Sequence, residues 1–235
     1  MLNRETVLRD STLRANALFR NVYLWMIAGL ALTSLVAYAV ASSPSLMRMI
    51  VLNPMGLIVL IIAEFALVFY LSSRIETMKS SSAIISFLGY SALTGATFST
   101  ILYAYTGVEI AKAFLSAAGV FAGAAIYGSL AKRDISGIGR YLSGALFGII
   151  IAMVLNMFFR SSSLDLIMSI VGAVIFTGLI AWDSQRIRAM NDQYGSYMTT
   201  EEPTMISILA ALNLYLDFLN VFLFLLRIFG RSDRN

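Results

Sequence analysis

Apolar residues run through this chain in long stretches, and polar residues gather in the short breaks between them. A helix needs about 20 apolar residues to cross a hydrocarbon core of ~30 Å. Seven stretches meet that length, at about 21–42, 51–73, 83–105, 110–131, 138–159, 164–184 and 204–229. The breaks carry turn-forming and charged residues: Ser42-Ser43-Pro44, Asn53-Pro54, Thr106-Gly107, Lys132-Arg133-Asp134, Arg160 with its following serines, and Asn191 to Pro203. The fifth break is short enough that a six-span reading stays open beside the seven-span one. The pattern predicts an all-α integral membrane protein, a seven-transmembrane helix bundle.

Composition agrees with the pattern. Of the 235 residues, 59% are hydrophobic and 13% charged, and the mean hydropathy is +0.80. Soluble domains carry roughly 25% charged residues, so there is too little polar surface here to cover a globule in water. The first 20 residues are polar and basic, with Arg4, Arg9, Arg14 and Arg20. The apolar run after them is longer than the core of a cleavable signal. Residues 1–20 are therefore expected as a retained cytoplasmic arm, 21–230 as the transmembrane domain and 231–235 as a tail.

Orientation follows from the basic residues, which favour the cytoplasmic side. With seven spans, one side holds Arg4, Arg9, Arg14, Arg20, Arg74, Lys79, Lys132, Arg133, Arg140, Arg186 and Arg188, eleven in all. The other holds Arg48, Lys112, Arg160, Arg227, Arg231 and Arg234, six in all. The N-terminus is expected in the cytoplasm and the C-terminus outside. The net charge of +4 and the pI near 9.4 are read as topology signals, and no nucleic-acid partner is expected. Cysteine and histidine are both absent, which excludes disulfides, thiol catalysis, histidine-ligated haem and the usual zinc sites. No cofactor is expected, and proton-linked behaviour falls to carboxylates.

Small residues recur four apart inside three spans: Ser91, Gly95 and Ser99; Gly119 and Gly123; Gly144 and Gly148. Such spacing lets helix backbones approach closely in lipid, and close packing is the expectation for all three.

A charged group near mid-bilayer costs about 2.5–3.5 kcal/mol on insertion scales, yet three carboxylates fall inside spans. Glu64 lies mid-way along the second, Asp183 toward the cytoplasmic end of the sixth, and Asp217 in the middle of the seventh. On the seventh, Asn213, Asp217 and Asn220 follow i, i+4, i+7 and so share a face, which Arg227 continues. That stripe should turn into a polar interior, with Asn156 of the fifth span as a further contact. Each acid has a plainer reading. Glu64 could hydrogen-bond a neighbouring helix, and Asp183 could pair with Arg186 three residues on. Were Asp183 and Asp217 to meet, repulsion and desolvation would favour a proton shared between them, and the titration would belong to the pair. Protonated, the pair would hold two helices together. Ionised, it would repel, open and attract a hard cation such as Ca²⁺, which prefers oxygen ligands.

The run Leu214-Tyr-Leu-Asp-Phe-Leu-Asn-Val-Phe-Leu-Phe-Leu-Leu-Arg-Ile-Phe-Gly230 resembles the last helix of the transmembrane Bax inhibitor motif family. Ala181-Trp-Asp-Ser-Gln-Arg-Ile resembles its sixth-helix aspartate motif, and Tyr90-Ser-Ala-Leu-Thr-Gly95 and Lys132-Arg-Asp-Ile-Ser-Gly137 resemble its bacterial members. The resemblance implies a bundle whose last helix is enclosed by the other six, in the cell (inner) membrane; a monomer is expected. It implies a pH-sensitive calcium leak, with Asp183 and Asp217 as the di-aspartyl sensor that gates it and contacts the metal. It also places Glu64 in the ion pathway, beside Asn213 and Asn220 from the polar stripe. Arg74, at a one-residue offset, is the candidate latch.

Two alternatives stand beside the leak. One is a regulatory protein that binds and modulates a membrane-anchored ATP-dependent protease, a role linked to bacterial relatives. The other is an intramembrane aspartyl protease. That enzyme reading is disfavoured, because Leu214-Tyr-Leu-Asp217 stands where such proteases carry Gly-x-Gly-Asp and a Pro-Ala-Leu element is missing. A retinal receptor is excluded because Lys79, Lys112 and Lys132 all lie outside the seventh span.

Overall fold

A computed structural model describes residues 4–74, 77–194 and 202–232. Arg234 and most of the tail expected at 231–235 lie outside the described residues, as does the middle of the break expected between 191 and 203. The described chain is helical: α1 (Arg4–Ala41), α2 (Pro44–Leu46), a π-helical turn (Met47–Val51), α3 (Pro54–Arg74), α4 (Ser80–Ala104), α5 (Gly107–Leu130), α6 (Ser136–Phe159), α7 (Ser162–Tyr194) and α8 (Glu202–Ser232). Among the described residues seven helices, α1 and α3 to α8, are long and apolar enough to cross a membrane, so the chain is a multi-pass membrane protein and the seven-span reading replaces the six-span one.

Local sequence explains where the helices begin and end. The second span starts at Pro54 and not at 51, because proline lacks an N–H and fits the first helical turn. Asn53 serves that end, with its Oδ1 accepting from the Met55 N–H at 3.1 Å. Thr106 and Glu109 form a capping box on α5. α6 ends at Arg160 in the left-handed region, with φ 49° and ψ 35°. Asn156 holds that turn: its Nδ2 donates to Ser161 O at 3.2 Å, and its Oδ1 accepts from the Ser161 N–H at 3.0 Å. The expected contact of Asn156 with the polar stripe of the last span is thus corrected, since its amide is engaged at its own helix end. Two spans run past their apolar windows, α1 starting at Arg4 within the expected arm and α7 continuing to Tyr194.

Burial differs sharply among the spans. In α3 and α6 only 6% of the apolar window is buried, as befits faces turned to lipid, whereas in α8 the figure is 67%.

The chain forms two compact units, Met1–Tyr105 with Met190–Tyr215, and Thr106–Ala189 with Leu216–Asn235. In the first, α1 and α4 meet backbone to backbone. A Cβ on Gly95 would lie 2.6 Å from Thr33 O, and one on Gly29 would lie 2.7 Å from the Phe87 ring. The expectation for Ser91, Gly95 and Ser99 holds there, with both serines buried. The hydroxyl of Tyr215 lies 2.7 Å from Thr33 Oγ1, which is 2.9 Å from the carbonyls of Gly29 and Ser91. With one proton to give, Thr33 donates to the carbonyls and accepts from Tyr215, whose ring packs edge-on against Phe87 and Tyr90. Thr33→Val removes one of the hydroxyl partners of the buried Tyr215, which also has Ser91 and Thr94 within reach, and should lower stability by about 1 kcal/mol. Adding Tyr215→Phe should restore part of the loss, read as melting temperature in detergent micelles.

In the second unit, isolated glycines bring helices together. A Cβ on Gly128 of α5 would lie 2.0 Å from Ala181 O of α7, and one on Gly139 of α6 would lie 2.3 Å from the Trp182 ring. Gly172 is covered by Phe224 and Gly178 by Leu142. Around Gly119, Gly123, Gly144 and Gly148, by contrast, a Cβ would meet nothing within 4 Å. The close packing expected for those two pairs is therefore corrected: their faces are open. Phe218 of α8 packs edge-on against Phe114 and Phe121 of α5, with ring centroids 5.6 and 5.8 Å away, and so ties α8 to α5.

Candidate functional site

The two aspartates lie in the second unit, on α7 and α8. Asp183 is 9% exposed and Asp217 7%. The charge of Asp183 acts on the Asp217 carboxylate, and Arg186, one turn along α7, acts on Asp183 with opposite sign. Asp217 Oδ2 is buried without a hydrogen-bond partner among the described residues, as is Ser184 Oγ beside Asp183. Buried polar atoms are nearly always paired, so unpaired oxygens at this point mark a place where stability has been left unclaimed.

Local structure aims Asp183. The segment 181–185 is held on one side by the backbone contact of Gly128 with Ala181 and on another by Gly139 under the Trp182 ring. Just beyond it, Gln185 binds the α5–α6 loop. Its Nε2 donates to Arg133 O at 2.8 Å, and its Oε1 accepts from the Ile135 N–H at 2.9 Å. In the same loop, Asp134 is fully exposed, and the Ser136 hydroxyl, followed by the Ser136 N–H at 2.8 Å, holds its carboxyl below the usual aspartate range.

The other predicted residues fall elsewhere. Glu64 lies in the first unit, half-buried, and accepts a hydrogen bond from Thr97 Oγ1 of α4. This is a hydrogen bond to a neighbouring helix of the kind the sequence left open for it. Arg74, also in the first unit, is the exposed last residue of α3. On α8, Asn213 and Asn220 are half-buried, and Asn220 Nδ2 donates to Leu216 O of its own helix at 2.8 Å. Arg227 sits 3.8 Å from Asp165, both groups well exposed, and lies over the Phe224 ring. Gln185 was not singled out from the sequence. It stood in the sequence only as one position of the motif Ala181-Trp-Asp-Ser-Gln-Arg-Ile, and a polar residue two positions past an intramembrane aspartate is the signal that could have found it.

Fold and site together define a seven-span membrane protein with a buried aspartate pair on its last two spans. The profile of the family described as "Inhibitor of apoptosis-promoting Bax1" matches residues 15–234. The chain is 43% identical over 209 residues to the inner membrane protein YbhL of Escherichia coli strain K12, covering 89% of each. It is 40% identical to an uncharacterized protein of Borreliella burgdorferi, covering 95% of each. With an uncharacterized membrane protein of Streptococcus pyogenes serotype M1 it shares 36% identity, over 99% of this chain and 100% of that one. The chain belongs to the Bax inhibitor-1 family.

Proposed function

We propose that the protein is a pH-sensitive calcium leak of the bacterial inner membrane, gated by Asp183 and Asp217, with no enzymatic activity and its N-terminus in the cytoplasm. The observation that carries this reading is the buried Asp217 carboxylate, with one oxygen unpaired and Asp183 within electrostatic reach. An intramembrane acid without a hydrogen-bond partner is costly, and a second acid beside it adds repulsion whenever both are ionised. A structural role would be served better by an apolar residue. A switch is served by this cost, because ionisation supplies the energy that parts α7 from α8. Among the described residues no group of three acids gathers to hold a metal. Ca²⁺ takes 6–8 oxygen ligands, so the pair would contact a passing ion that keeps water or backbone oxygens, which suits transit better than storage. The inner-membrane assignment is supported by the name of the Escherichia coli relative.

The test uses purified protein in liposomes loaded with a calcium dye. Flux should rise with pH through the titration of the pair, and Asp217→Asn should flatten that response. If the variant keeps both the flux and its pH dependence, the gating mechanism is wrong.

A further inference from the structure

Gln185 commits its whole side-chain amide to the loop between α5 and α6. Besides the bonds to Arg133 O and the Ile135 N–H, its Nε2 lies 3.5 Å from Ala131 O. Ala131 and Ile135 are the residues at which α5 ends and α6 begins, and Ile135 brings no capping side chain. Backbone groups at helix ends have no partner within their own helix and must find one elsewhere. Here α7 supplies it, across about 50 residues of sequence.

This contact completes a grip on the segment that carries Asp183. Gly128 of α5 presses on the Ala181 backbone, Gly139 of α6 lies under Trp182, and Gln185 fastens the same stretch to the loop. The two glycine contacts leave no room for an added side chain, so they set how closely α5 and α6 approach this stretch. The amide contact is the directional one, because its hydrogen bonds fix an orientation and can lengthen or break. A helix places successive residues about 100° apart, so a modest turn of α7 would carry the Asp183 carboxyl away from Asp217.

We propose that Gln185 is a positioning residue, whose hold on the loop Ala131–Ile135 sets the rotation of α7 that turns Asp183 toward Asp217. The proposal rests on the reading of the two aspartates as the working site. It couples that site to a loop whose Lys132, Arg133 and Asp134 are exposed. The charged groups that act within the pair are Arg186, one turn along α7, on Asp183, and Asp183 on Asp217 of α8. From α5 and α6, Gly128 and Gly139 face the neighbouring Ala181 and Trp182, and the charged Lys132, Arg133, Asp134 and Arg140 of that end are exposed.

The test is an infrared titration of the buried carboxyl bands in nanodiscs, assigned with Asp183→Asn and Asp217→Asn. Gln185→Met keeps the side-chain length and removes its hydrogen bonds. It should move the midpoint of the pair by about one pH unit, the change expected when one buried interaction is altered. Asn156→Ala, which loosens the far end of α6 by two hydrogen bonds, should leave the midpoint in place even if it lowers the melting temperature as much. Should Gln185→Met fail to fold, Gln185→Asn retains the amide but falls one methylene short, and the same shift is expected. A folded Gln185 variant with an unmoved midpoint overturns the positioning role. If Asp183→Asn leaves the Asp217 band unmoved in otherwise unaltered protein, the pairing fails, and the proposal falls with it for that separate reason.

Discussion

Alanine at position 128 is expected to destabilise the protein by about 3 kcal/mol, the upper end of the usual range for overpacking. The added methyl would lie 2.0 Å from the carbonyl oxygen of Ala181 and 2.7 Å from its carbon. Both are backbone atoms of a packed helix, so no rotamer change relieves the overlap and α5 or α7 must shift bodily. Folded domains have only about 5–15 kcal/mol to lose, and the yield of folded protein should fall with the melting temperature. Gly139→Ala meets the Trp182 ring at 2.3 Å and should cost less, because a side chain can swing. Gly119→Ala and Gly123→Ala supply the contrast. Nothing lies within 4 Å of either added methyl, and alanine is the better helix former by about 1 kcal/mol in water-soluble hosts, so both should be neutral or stabilising. Thermal unfolding of the four variants in one detergent checks the set. Equal losses at 119 and 128 would mean that the α5–α7 contact is not what makes glycine necessary at 128.

The same contrast shows where the sequence is readable. Span number is legible because hydrocarbon thickness dictates run length, and the seven apolar stretches correspond to the seven long helices. Their ends are less legible. Polar turns continue α1 back to Arg4 and α7 on to Tyr194, and hydropathy falls there while helical hydrogen bonding does not. Glycine spacing misled for a related reason. A pair four apart, such as Gly119 and Gly123, defines a stripe on one helix, but whether anything approaches that stripe is decided by the other helices. Gly128 and Gly139, which do meet a neighbour, have no regular spacing to announce them.

The polar residues divide along similar lines. Asp183 and Asp217 stand out because a carboxylate in lipid is expensive wherever it lies. The stripe through Asn213 and Asn220 follows from helical geometry, yet Asn220 satisfies its amide on Leu216 of its own helix, a choice that residue spacing does not reveal. Contacts made across long stretches of chain were invisible in the sequence. Thr33 and Tyr215 are 182 positions apart, and Gln185 reaches a loop some 50 residues behind it. Each side chain alone looks like any hydroxyl or amide near a helix, and its partner exists only once the helices are assembled.

Asp183→Asn and Asp217→Asn are each expected to remove most of the pH-dependent rise in calcium flux, and combining them should remove little more. In the proposed gate, ionisation increases with pH, so the repulsion between the carboxylates, and with it the open population, would be present above the titration of the pair and lost below it. A coupling of about 1–3 kcal/mol between two groups changes a two-state population roughly 5- to 150-fold, and that is the range in which the ratio of high-pH to low-pH flux should fall. One amide suffices because repulsion needs two charges. The remaining aspartate has no like charge to oppose, and where Asp183 is the one that remains, Arg186 still balances it. The double variant then has nothing further to lose, which gives the strongly non-additive cycle of a pair acting as one unit. Asp217→Glu retains the charge and should keep a pH response, with its midpoint displaced by the longer side chain. The measurement is initial flux into dye-loaded liposomes at matched protein density over a pH series. Two single losses that simply multiply in the double variant would assign the aspartates to separate steps along an ion path, and the shared-proton switch would have to be abandoned.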